Sequence, residues 1–258
     1  MLTASRHATR VKLRCPPTLA AGLLALVLTS CGGGSPSAPG PAPAVASPLP
    51  AFAVQSVTDG DTVRVAPNVS GSASVRFLNI DAPELGTQEP WGSRSREALA
   101  LLIPPGTAVN VIQDRETVDS FGRALGHVRR VSDGLVANRE QLRQGHAALY
   151  VLWPNVASFE DYRSAQREAR AEGRGIWDPA GRLPELPFEH RFRTQGRVNT
   201  QPVGDWFTRF YVDPASYRLV DLDNRVFFGN DGEALGAGFR ACPREGNMYS
   251  TTCFTQPR

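Results

Sequence analysis

Asp61, Asp81 and Glu84 supply three carboxylates within a short stretch of chain, and Arg76 stands among them. Carboxylate and carbonyl oxygens suit a hard cation such as Ca²⁺. A guanidinium offers paired N–H donors that match a phosphate. Together these residue types suit a site for a hard cation with a phosphate beside it. Asp59, ahead of Gly60, reads as a turn residue or a supporting group, not as a direct ligand. His127 and His146 lack metal-ligand spacing to each other or to a cysteine and read as structural.

These side chains need rigid elements to hold them. Residues 51–57, 62–66, 73–80, 108–113 and 123–131 read as β-strands, rich in β-branched residues and alternating in polarity. Residues 93–102 read as an amphipathic helix ended by Pro104-Pro105-Gly106. Two further helices are expected over 135–144, stopped by Gly145, and over 158–172, with Ser158 as N-cap and Gly173 as stop. Five short strands with a helix between the third and fourth fit a five-stranded OB-type Greek-key barrel. The class is α+β, mainly β, with three helices and a small β-rich C-terminal extension.

The stretches Asp59-Gly60-Asp61-Thr62-Val63, Arg76-Phe77-Leu78-Asn79-Ile80-Asp81-Ala82-Pro83-Glu84, Asp119-Ser120-Phe121-Gly122-Arg123, Leu142-Arg143-Gln144-Gly145 and Gly175-Ile176-Trp177 occur in this order. Together they resemble the staphylococcal nuclease (thermonuclease) family over residues 51–179. The resemblance implies Ca²⁺ held by Asp61, Asp81 and the backbone carbonyl of Ala82, with Glu84 acting on the attacking water. It implies Arg76 and Arg123 on the scissile phosphate, and DNA and RNA as substrates cut with little sequence preference. Tyr150 matches a position where the family stacks a tyrosine on a base; the family's second tyrosine is replaced by Leu152, with Trp153 after it. Phe121 reads as a packing residue. The competing reading is a catalytically inactive OB module that binds nucleic acid or protein at the cell envelope. Its expected mark is a lost metal carboxylate or phosphate arginine, and none is lost.

Four basic residues, Arg6, Arg10, Lys12 and Arg14, lie in the first thirty residues, which contain no acid. The formal charge of +3 comes from 28 basic and 25 acidic side chains; less those four, 24 bases face 25 acids. A broad basic footprint for nucleic acid is therefore absent from the rest of the chain. Residues 1–30 read as a lipoprotein signal peptide, a cationic start followed by a short apolar run. Leu28-Thr29-Ser30-Cys31 resembles a lipobox, so Cys31 is the expected lipidation site. The alternatives are a cleaved signal with a chance cysteine, or a retained membrane helix, for which the run is short. Residues 31–50 read as a Pro/Gly/Ser/Ala-rich tether. The expected location is exported and lipid-anchored, at the outer membrane or the outer face of the cytoplasmic membrane, as a monomer with no protein partner evident.

Residues 180–258 resemble no recognised family. Strands are expected over 206–212, 217–220 and 225–228, with turns at Asp223-Asn224 and Asn230-Asp231-Gly232. Cys242 and Cys253, in an exported chain, are expected to form a disulfide.

Overall fold

The computed structural model describes residues 49–255; Cys31, the signal segment and most of the tether lie outside them. Five strands close a barrel in the order β1-β2-β3-β6-β5: β1 (Phe52–Val57), β2 (Thr62–Val69), β3 (Ser72–Phe77), β5 (Ala108–Ile112) and β6 (Ala124–Arg130). All neighbours are antiparallel except β3 and β6, where Val75 faces Ala124 in a parallel pair. The inward positions are small β-branched residues, Val54, Val63, Val65, Val75, Val109 and Val128, with Phe77 filling the centre. Interior residues of this size suit a narrow barrel.

The third strand is shorter than its apolar run suggests. β3 ends at Phe77, and Asn79 takes φ of 63°, a backbone conformation asparagine tolerates. The chain then restarts as β4 (Ile80–Asp81), which pairs with β7 (Ala148–Leu149) outside the barrel. This break turns Asp81 out of the barrel wall and back over β2. Buried Asn138 closes the corner: its Oδ1 accepts from Val128 N, and its Nδ2 donates to the carbonyls of Leu78 and Gly126.

Three helices brace the barrel: α1 (Trp91–Leu102), α2 (Ala137–Arg143) and α3 (Phe159–Ala171). Ser158 stands at the N-cap of α3 but makes no side-chain capping bond. Gly145 and Gly173 end α2 and α3 at φ of 72° and 62°, as their stop positions require.

The described residues 49–255 fall within one compact unit. β8 (Val151–Leu152) joins a second sheet in the order β12-β10-β9-β11-β8, with β9 (Val203–Asp205), β10 (Phe210–Val212), β11 (Arg225–Phe227) and β12 (Arg240–Ala241). Phe228 and Phe239 share a buried cluster with Phe159 of α3. The strand expected over 217–220 is instead a 3₁₀ helix, Pro214–Leu219, because Pro214 fits its first turn and Asp213 caps Ser216 N. The turn expected at Asn230-Asp231-Gly232 opens α5 (Asp231–Gly236), where Asn230 Oδ1 accepts from Glu233 N. A further helix, α4 (Pro187–Thr194), lies where no element was expected. Cys242 and Cys253 form a disulfide beside the buried cluster of Phe188, Val212 and Phe227.

His127 is buried, and its Nδ1 lies 2.7 Å from the Tyr162 hydroxyl. Burial pushes its pKa down to about 4, with Asp114 opposing only weakly. Its folded-state pKa lies below the unfolded value, so its contribution is intact above about pH 6.5 and is lost as pH falls toward 4. His127→Gln should flatten that part of the stability–pH curve, removing on the order of 2 kcal/mol of pH-dependent loss, as read by denaturant unfolding at pH 7 and pH 4.5.

Candidate active site

Asp61, Arg76 and Asp81 meet at the mouth of the barrel. Asp61 immediately precedes β2, and its carbonyl accepts from Phe77 N at 2.8 Å, which sets it opposite Arg76 on β3. Thr62 is the register partner of Arg76. Arg76 Nη1 lies 2.8 Å from Asp61 Oδ2, and its Nη2 donates to Asp81 Oδ1 at 2.9 Å. Asp61 Oδ2 also accepts from Ala82 N at 2.8 Å, so the carboxylate fixes the backbone that carries the Ala82 carbonyl. Asp59 Oδ1 accepts from Asp61 N, the supporting position expected for it.

The loop holding Asp61 has no room for a side chain at Gly60. A Cβ on Gly60 would stand 1.9 Å from Ser95 Oγ and 2.6 Å from Ala82 Cβ. Buried Gln141 donates from Nε2 to the Gly60 carbonyl at 2.8 Å and to the Ser95 carbonyl at 3.1 Å. These two side chains, with Asn138, position the site and carry no sequence signal beyond a polar residue on an apolar helix face.

Asp81 has no exposed surface. Burial raises its pKa, against the lowering pull of Arg191 and Arg76. Its Oδ2 is buried and has no hydrogen-bond partner among the described residues, an expensive arrangement for a carboxylate unless a cation meets it. Burial and the charge of Asp61 together push Asp59 up to about 7. Among the described residues no three His, Cys, Asp or Glu side chains converge into a closed metal cage. Asp61, the Oδ2 of Asp81 and the Ala82 carbonyl offer oxygen donors alone. That set fits a hard cation whose other ligands are waters.

Arg191 was missed in the sequence. It comes from α4, and its Nη1 donates to both Asp81 Oδ1 at 2.7 Å and Glu84 Oε1 at 2.9 Å. Burial disfavours its charge, but Asp81 and Glu84 outweigh this and raise its pKa. The only signal available was Pro187 with Glu189 early and Arg191 and Arg193 late, a helix-start and helix-end pattern.

Arg123 stands just before β6, the strand beside β3. Its Nε donates to Asp119 Oδ2 at 2.7 Å, and its guanidinium lies over the Phe121 ring. It makes no hydrogen bond to Asp61, Asp81 or Glu84. Phe121 is 82% exposed and so is no packing residue, contrary to the expectation.

Tyr150 is placed differently from the expectation that it stacks on a base. Its ring stacks on Phe188 (centroids 5.1 Å apart, planes 14° apart) and leans on Phe227 at 4.8 Å. The extension thus takes up the ring, and burial pushes the hydroxyl pKa up. Trp153 likewise packs on Phe228.

The staphylococcal nuclease homologue family model matches residues 74–179. An uncharacterized endonuclease of Escherichia coli O157:H7 is 31% identical over 141 residues, covering 52% of this chain and 82% of that protein. The chain belongs to the staphylococcal nuclease homologue family. Endonuclease YhcR of Bacillus subtilis is 35% identical over 198 residues; this covers 72% of the chain but only 16% of that much longer protein. An uncharacterized endonuclease of Haemophilus influenzae is 30% identical over 146 residues, 57% of this chain and 74% of that protein. The family match begins at residue 74, within β3, yet the site needs Asp61 from the turn before β2.

Two outcomes follow from the packing. Gly60→Ala should cost on the order of 2 kcal/mol by overpacking against Ser95 and Ala82, measured by chemical unfolding. Tyr150→Ala should destabilise the fold by about 3 kcal/mol, whereas Tyr150→Phe should leave both stability and any substrate KM within a small factor of wild type.

Proposed function

We propose that this chain is a Ca²⁺-assisted phosphodiesterase that hydrolyses DNA and RNA with little sequence preference. The observation that carries the reading is the buried, partnerless oxygen of Asp81, beside Asp61 and flanked by Arg76. The endonuclease names of the relatives support the same chemistry.

Asp61, Asp81 and the Ala82 carbonyl would hold the cation. When bound, Ca²⁺ supplies divalent charge that favours the transition state, in which phosphorus carries more negative charge than in the substrate. Glu84 accepts a proton from the attacking water; its side chain is 39% exposed and so reachable. Arg76 and Arg123 donate to the non-bridging oxygens. Arg76 keeps its Nε, and Arg123 both terminal nitrogens, outside the hydrogen bonds described above. The water oxygen bonds to phosphorus as the P–O bond to the leaving sugar breaks, and the departing sugar oxygen takes a proton from solvent. Backbone contacts of this kind carry no sequence information, which is why little preference is expected.

Residues 1–30 would direct export, Cys31 would carry the lipid and 31–50 would hold the monomer off the membrane surface. The full-length chain should cleave plasmid DNA and RNA with Ca²⁺ and lose activity with chelator. Asp61→Ala and Arg123→Ala should each lower kcat on the order of 10²-fold, by comparison with loss of one transition-state donor. Absence of cleavage at every Ca²⁺ concentration tried would leave only the binding-module reading.

A further inference from the structure

The extension reaches into the site through one side chain. Arg191 is 31% exposed, and its Nη1 is shared between Asp81 and Glu84, while its Nε and Nη2 make no hydrogen bond among the described residues. Asp81 Oδ1 accepts from Arg76 Nη2 at 2.9 Å and from Arg191 Nη1 at 2.7 Å, so two guanidinium groups converge on one oxygen from different parts of the chain.

The helix beneath Arg191 is firmly seated. Phe188 is buried between Tyr150 and Phe227. His190 Nε2 lies 3.1 Å from Thr87 Oγ1, and Gln88 Nε2 donates to the Glu185 carbonyl at 3.0 Å. The loop after Glu84 and the start of α4 are therefore tied together. Glu189 is held by Tyr217 and Arg218 on the opposite side. An arginine held by its helix and by two carboxylates, with two donor nitrogens unspent, loses little freedom when an anion arrives.

We propose that Arg191 is a third substrate-phosphate residue, lent to the barrel site by the C-terminal extension, and that it binds a backbone phosphate oxygen of the polynucleotide through Nε and Nη2. This rests on the phosphodiesterase reading. It gives the extension a part in the chemistry: α4 completes an anion clamp of which the barrel provides only Arg76 and Arg123.

The test compares Arg191→Ala, Arg191→Gln and Arg191→Lys with wild type in the full-length chain. It reads kcat and KM on single-stranded DNA, binding of a phosphorothioate oligonucleotide, calorimetric Ca²⁺ affinity without nucleic acid, and melting temperature. Arg191→Ala and Arg191→Gln should weaken oligonucleotide binding and lower kcat/KM by about tenfold or more. Their Ca²⁺ affinity should stay level or rise, because a competing cation has left Asp81. Arg191→Lys should recover part of the loss, since it restores charge but not the forked donors. Values of kcat/KM and oligonucleotide binding within twofold of wild type in both neutral variants would overturn the proposal while leaving the nuclease reading intact. So would a parallel fall in Ca²⁺ affinity and melting temperature that accounts for the loss, since that marks a purely structural ion pair. A wild-type chain that neither binds nor cuts polynucleotides overturns both readings.

Discussion

The buried carboxylate of Asp81 is the constraint around which the site is built. Removing such a group from water is costly, and two guanidinium groups, from β3 and from α4, offset part of the cost. Each neighbouring feature serves that meeting. The break of β3 at Phe77 lets Asp81 leave the barrel wall, β7 pins it, and Asn138 ties the corner to β6. Asp61 shares Arg76 with it and fixes the Ala82 backbone. One oxygen of Asp81 has no hydrogen-bond partner among the described residues, and the proposed cation site rests on that oxygen.

The second sheet changes what the barrel can do. β8 pairs with β11 in parallel, and Phe188, Tyr150 and Phe227 weld the extension to the loop that follows β7. The aromatic ring expected to meet a base is spent on that weld. In exchange, α4 places Arg191 on Asp81 and Glu84. If the proposed phosphodiesterase reading holds, substrate contact would rest on backbone charge more than on base stacking.

The barrel and the Asp61–Arg76–Asp81 group were legible because local signals there agree: β-branched alternation, a glycine at a turn and motif spacing. Strand ends were less so. The apolar run through Ile80 hides a change of direction at Asn79, which is set by pairing with β7, distant in sequence. The extension was read poorly for a definable reason. Tyr217 and Val220 look like strand residues, but Pro214 and the Asp213 cap decide the local backbone. The cap at Asn230 likewise turns an apparent loop into α5. Arg191 could not be found from spacing, because its contacts lie more than a hundred residues away. Gln141 and Ser95 escaped for the same reason: their work is to receive Gly60, and only the close approach at Gly60 reveals it.

A calorimetric Ca²⁺ titration of the full-length chain against its Asp81→Asn variant, which keeps the side-chain shape and removes the charge, tests the central claim most directly. Wild type should bind one Ca²⁺ per chain at this site, and the variant should lose that event while remaining folded. Equal Ca²⁺ binding by the two proteins would contradict the claim that Asp81 is the carboxylate on which the cation, and with it the chemistry, depends.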